Sequence, residues 1–251
     1  MCIRDRRWGS GAASDSGLDV QSKDVLGLLC RVYESEGLRL VPGMAFDAPL
    51  AELEADLAAG GPDATGIACL GRDGRPRRTP SGVHYNILDP RVQAAVERRV
   101  RELAGRLRGA AAVEGVALLL SHEGWLHLPG AAAALDDATF ARFLASVGTR
   151  EPEAGADRFA RRAEMVEGPL RDLWLEWRAD AVAAFHARLA AALAEHDPRL
   201  VLHVVPTTLF AIGELANRFR PRLTAEAAAG DVLREAGLDP LRSTVHPQVV
   251  F

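Results

Sequence analysis

Apolar positions along this chain fall into two alternating rhythms. From Lys23 to about Glu36, Val25, Leu26, Leu28, Leu29, Val32 and Tyr33 recur at helical spacing, after Ser22 as an N-cap and before Gly37 as a stop. Leu38 to Phe46 then reads as a buried strand, interrupted by Pro42 and Gly43. Pro49 to about Ala59 predicts a short helix, and Gly66 to Leu70 a short strand before an Asp73-Gly74 turn. Asp89 caps a longer helix that has Pro90 in its first position, with Val92, Ala95, Val96, Val100, Leu103 and Leu107 as its inner stripe. Val113 to Leu120 is almost wholly apolar, as a strand covered on both faces should be. Helices follow from Leu135 to about Val147, from about Ala156 to Glu167, and from Gly168-Pro169 to near His196. Leu200 to Val205 is a further strand, stopping at Pro206-Thr207-Thr208. Thr224 caps a helix to about Ala236, and a β-branched segment closes the chain at Phe251.

Strands separated by helices imply parallel pairing. No G-x-G-x-x-G or phosphate loop follows any strand, which disfavours a nucleotide-binding doubly wound sheet. The expected architecture is α/β: a partial (β/α)8 TIM-type barrel, with parallel strands alternating with helices. In such barrels chemistry sits just past the carboxyl ends of the strands. The segment Ser121-His122-Glu123-Gly124-Trp125 holds that position after the strongest strand, and Asp47 holds it after an earlier one.

Composition narrows the function classes. A net charge of −4 and 25% charged residues give no basic surplus for nucleic acid. The arginines between Arg72 and Arg78 read as a solvated loop. Cys2, Cys30 and Cys69 form neither a disulfide framework nor a zinc knuckle. No His/Asp/Glu set has metal-ligand spacing, so no metal and no cofactor is expected, and no apolar run reaches the roughly 18 residues of a membrane span. Both ends look cut. Met1-Cys2-Ile3-Arg4-Asp5-Arg6 resembles the translated mosaic end of a sequencing adapter, and the last residues lie inside an incipient strand. The reading is residues 1–6 as artefact, 7–21 as loop, and 22–251 as a barrel domain truncated at both ends.

Order-preserving pieces of the chain resemble a known family. They are Leu38-Arg39-Leu40-Val41-Pro42 through Phe46-Asp47-Ala48-Pro49-Leu50, then Tyr85-Asn86-Ile87-Leu88-Asp89-Pro90-Arg91-Val92-Gln93. Leu118-Leu119-Leu120-Ser121 with Leu128-Pro129-Gly130 comes next, then Asp157-Arg158-Phe159-Ala160, Trp174-Leu175-Glu176-Trp177-Arg178-Ala179 and Ala236-Gly237-Leu238-Asp239-Pro240. In this order they resemble the glycosyl-hydrolase-like family 10 barrels of planctomycete-type bacteria. The resemblance implies a (β/α)8 barrel, glycoside hydrolysis or glycan binding, a carbohydrate partner, and an extracytoplasmic setting. The wider family often carries Asp-Gly at the start of a strand and Asp-Asp-Tyr at its end. Here Glu114-Gly115 opens the strand, Leu119-Leu120 stand near the aspartate positions, and Glu123 is the carboxylate at hand.

Glycosidases generally use two carboxyl groups. Glu123 and Asp47 are the candidate pair, each with a plain alternative: an exposed loop residue for Glu123 and a helix N-cap for Asp47. Glu214 is a further carboxylate on a helix surface. His84 and His122 are candidates for tuning a carboxylate or bonding a sugar, Asn86 for bonding a sugar, and Tyr85 and Trp125 for stacking on a pyranose face. Trp174 and Trp177, three residues apart on a helix, read as packing. Two functions follow: a glycoside hydrolase acting on a polysaccharide or oligosaccharide, or a catalytically inactive carbohydrate-binding or scaffolding barrel of a larger cell-envelope protein.

Overall fold

The computed structural model describes residues 24–60, 66–150, 155–211, 214–217 and 228–251. In chain order they form α1 (Val25–Ser35), β1 (Gly43–Ala45), α2 (Ala51–Ala59), β2 (Arg78–Thr79), β3 (Gly82–Val83), α3 (Pro90–Arg106), β4 (Gly115–Ser121), α4 (Asp137–Ser146), α5 (Arg158–Glu167), α6 (Arg171–Ala194), β5 (Val201–Thr208), α7 (Glu214–Asn217), α8 (Ala229–Glu235), α9 (Pro240–Ser243) and β6 (Val249–Val250). The main sheet has four strands in the order β1-β4-β5-β6, all pairs parallel. Neighbours in the sheet follow the chain with no reversal, whereas a doubly wound sheet reverses at a switch point. The class is therefore α/β, with parallel strands alternating with helices as in an arc of a (β/α)8 barrel.

Local sequence explains the strongest elements. The Asp89 carboxylate accepts from Arg91 N at 2.8 Å, and Pro90 costs nothing where no intrahelical donor is needed, so α3 starts where expected. Its inner stripe of Val92, Val96, Val100 and Leu103 is fully buried. Central β4 buries Val116, Leu118 and Leu120 together with Ala117, so both faces are covered. Gly115 sits where a Cβ would lie 2.2 Å from the Val201 carbonyl oxygen, so β4 and β5 start too close together for any side chain there.

Several expectations change. The strand foreseen from Leu38 to Phe46 splits into an isolated bridge, Leu40 to Val113, and the short β1. Pro42 has no N–H for the ladder, although its carbonyl accepts from Ala117 N at 2.9 Å. By contrast β5 runs past Pro206 to Thr208. The register slips by one residue there, Leu120 facing Pro206 and Ser121 facing Thr208. The intervening Thr207 donates its hydroxyl to the Leu120 carbonyl at 3.1 Å, supplying a donor beside a residue that has none. Asp24 caps α1 by accepting from Gly27 N at 3.0 Å; Ser22 lies outside the described residues. The buried edge of α1 is Leu26 and Cys30, while Val25, Leu28 and Val32 from the foreseen stripe stay exposed. Thr224 also falls outside the described residues, and the helix foreseen there is described from Ala229.

A second apolar cluster joins α4, α5 and the start of α6, where Trp174 and Trp177 stack at 5.5 Å with Phe143 against both. Beside it, Arg178 is fully buried. It donates to the carbonyl oxygens of Gly130, Ala131, Arg234 and Glu235 and lies over the Trp174 ring. Burial lowers its pKa to about 9, with Cys69 and Glu235 nearby opposing that effect.

Candidate functional site

The carboxyl ends of β1, β4 and β5 are laced together. After β4, Gly124 N bonds back to Ser121 O at 3.1 Å, making a tight turn that carries His122 and Glu123. Trp125 N then donates to Phe46 O at 3.1 Å, in the loop after β1. A Cβ on Gly124 would stand 3.1 Å from that same oxygen, so glycine lets the two loops close. On the other side, His122 Nδ1 lies 3.0 Å from Thr208 O at the end of β5. A carbonyl only accepts, so Nδ1 carries the proton. Glu123 and Asp47 are both half-buried, each one or two residues from the Trp125–Phe46 bond. Glu123 is engaged with its surroundings. Asp47 is not the cap of α2, whose N-cap is Leu50 without a side-chain bond.

A cleft of about 300 Å³ opens beside this junction. Arg77, Arg78 and Thr79 of the β2 hairpin line it together with His84, His122 and His127. Leu209 and Leu215 close an apolar side. His84 Nε2 donates to the His127 carbonyl at 2.8 Å, and the two rings meet edge to face at 5.1 Å. Burial pushes the His84 imidazole down to about 4. His127 is held well below the usual histidine range, by burial first and then by His84 and His122. Both rings are therefore neutral near pH 7. His127 Nδ1 is buried and has no hydrogen-bond partner among the described residues.

Three of the sequence candidates take a different place. Tyr85 is fully buried; its hydroxyl donates to Glu54 Oε1 and accepts from Leu50 N at 3.1 Å. Burial first, then Glu54, pushes that hydroxyl far above the usual tyrosine range. Trp125 is 1% exposed, donates Nε1–H to Ala48 O at 3.3 Å, and packs edge to face on both Phe46 and Tyr85. Neither ring offers a face to a sugar. Asn86 is also sealed in: its amide donates to Asp136 Oδ2 and Thr139 Oγ1, both at 2.9 Å, and its oxygen accepts from Leu88 N at 3.0 Å. These side chains fold inward because burying an aromatic ring outweighs leaving it in a solvated loop. They form the foundation of the strand ends.

Of the rest, His84 and His122 reach the cleft, and Glu123 and Asp47 stand at the loop junction. Glu214 opens the short α7. Sequence reasoning gave Arg77 and Arg78 to a solvated loop and passed over His127. The signal was present: a long excursion rich in arginine just ahead of His84, and two histidines five residues apart after one strand. Among the described residues no group of three His, Cys, Asp or Glu side chains could hold a metal ion. No described helix is long and apolar enough to cross a membrane.

No family model matches the chain, and no curated protein matches it. Solved structures similar to it include a β-galactosidase from the psychrophilic Marinomonas ef1, at 18% identity and a TM-score of 0.46, over 71% of this chain and 29% of that one. A cold-adapted β-galactosidase from Rahnella sp. R3 is similar at 16% identity and a TM-score of 0.46, over 72% of this chain and 27% of that one. The chain thus spans less than a third of the length of either.

Proposed function

We propose that this chain, with residues 22–251 as its barrel domain, is a glycoside hydrolase-like barrel acting on a polysaccharide or oligosaccharide through Glu123 and Asp47. The observation that carries the reading is the Trp125–Phe46 backbone bond, which joins the loops bearing both carboxylates at the carboxyl ends of adjacent strands. Glu123, beside the fixed His122 ring, is the general acid that protonates the leaving oxygen. Asp47 is the base or nucleophile on the opposite face of the sugar. A carboxyl separation of about 5–5.5 Å goes with retention of configuration, and about 6.5–9.5 Å with inversion. The ordered resemblance to glycosyl-hydrolase-like family 10 supports the same class.

A second reading, a carbohydrate-binding barrel without catalysis, is favoured by one observation: no carboxylate is among the described residues lining the cleft. A panel of oligosaccharides and polysaccharides separates the two. Product release, with one anomer formed first by NMR, supports hydrolysis. Binding by titration with no product over days supports the second reading and removes the first.

A further inference from the structure

The cleft beside the strand ends carries an unusual balance of groups. Two arginines and three histidines line it, and no carboxylate does among the described residues. Arg78 stands on the exposed side of the β2 hairpin and makes no ion pair with a carboxylate among the described residues. Arg77 is held at both ends of its backbone: its N–H donates to Cys69 O at 2.8 Å, and its carbonyl accepts from His84 N at 2.9 Å. Gly71 leaves room for its side chain, since a Cβ there would lie 2.8 Å from Arg77 Nε. His127, which also lines the cleft, is 5% exposed, and its buried Nδ1 has no partner among the described residues. A buried polar atom left this way is costly. Nδ1 is closed to solvent, and a turn of the ring that opened it to the cleft would let a ligand oxygen complete it. Leu209 and Leu215 add an apolar side suited to the C–H face of a ring.

We infer that this cleft binds an oxyanion group carried on a saccharide, a uronate carboxylate or a sulfate ester, at Arg77, Arg78 and His127. The inference rests on the carbohydrate reading above for the sugar and on the cleft alone for the anion. A guanidinium meets either group through paired N–H donors, which a neutral hydroxyl cannot match. The volume, about 300 Å³, is at the small end for small-molecule sites and suits one charged sugar unit.

Calorimetric titration of the whole chain tests it with four probes: a neutral oligosaccharide, an oligouronate, a sulfated oligosaccharide and inorganic sulfate. The expected result is that one acidic saccharide binds at least about tenfold more tightly than the neutral one, and that Arg78→Ala lowers that affinity about tenfold. The better of the two acidic probes identifies the group. Arg78 is on the surface, so this variant should fold, and Arg78→Lys should recover only part of the loss. His127→Phe, with its fold checked by circular dichroism, should weaken the same probe. Sulfate binding without any saccharide binding supports the oxyanion site and removes the carbohydrate reading. Equal affinity for neutral and acidic saccharides overturns the inference while leaving that reading intact. No binding of any anionic probe, or an Arg78→Ala variant with unchanged affinity, overturns it as well.

Discussion

His84 donates from Nε2 to the main-chain carbonyl of His127 at 2.8 Å, and burial keeps both imidazoles neutral. His186, buried against Ser243, is likewise pushed down to about 4. Each of these groups binds a proton more readily unfolded than folded. Their stabilising effect is complete above the unfolded value near 6.5 and is lost as pH falls toward the folded value. His84 and His186 each account for about 3 kcal/mol over that window. Asp136 works the other way. Burial raises it to about 6, so it favours the fold below about 4 and that contribution fades as pH rises through 6. The histidines outnumber it. Urea melts should give a clearly lower midpoint at pH 4.5 than at pH 7, and equal midpoints would contradict the buried neutral pair.

Asn86 joins Asp136, Thr139 and the Leu88 N–H in one sealed network. Asn86→Ala leaves a buried carboxylate without its amide donor. Unfolding free energy should fall by about 3 kcal/mol, from the unsatisfied group and the space left behind. A loss under about 1 kcal/mol would return Asn86 to the list of surface ligands.

Trp125 packs on Phe46 and Tyr85 and bonds to the Phe46 carbonyl next to Asp47. Trp125→Ala should cost about 3–5 kcal/mol of stability, and glycan turnover should fall with the fraction folded. A platform residue would behave differently. Affinity would drop while the thermal midpoint stayed unchanged, and that pattern would overturn the packing role.

Gly115 allows β4 and β5 to approach where a Cβ would overlap the Val201 carbonyl oxygen at 2.2 Å. Gly115→Ala must push the two strands apart, at about 3 kcal/mol or more. Hydrogen exchange should then quicken along Val116 to Leu120. Unchanged exchange there would mean that the sheet absorbs the methyl group elsewhere.

The parts of the fold legible in the sequence are those set by neighbours along the chain. The Asp89-Pro90 start of α3, its Val92–Val96–Val100 stripe, and the apolar run of β4 depend on caps, periodicity and composition within a few residues. The end of β4, and with it the place of Glu123 just past a strand, follows from that. What stayed hidden depends on contacts far apart in the chain. Tyr85 and Trp125 occupy loop positions, yet each turns inward because the other ring and Phe46 wait there. Arg178 looks like a surface helix residue until the carbonyls of Gly130 and Glu235 are folded around it. The cleft is of the same kind, since the β2 hairpin meets His122 and His127 only after α3 and β4 have been laid between them.

The proposed hydrolysis requires Glu123 to transfer a proton as the glycosidic bond breaks. Turnover of a cleaved glycan by Glu123→Gln, alongside its binding affinity, tests this step. The amide keeps the shape of the side chain and cannot serve as the acid. The expected result is a loss of at least about 100-fold in kcat with affinity within a factor of about three. Unchanged turnover in a folded Glu123→Gln variant would contradict it.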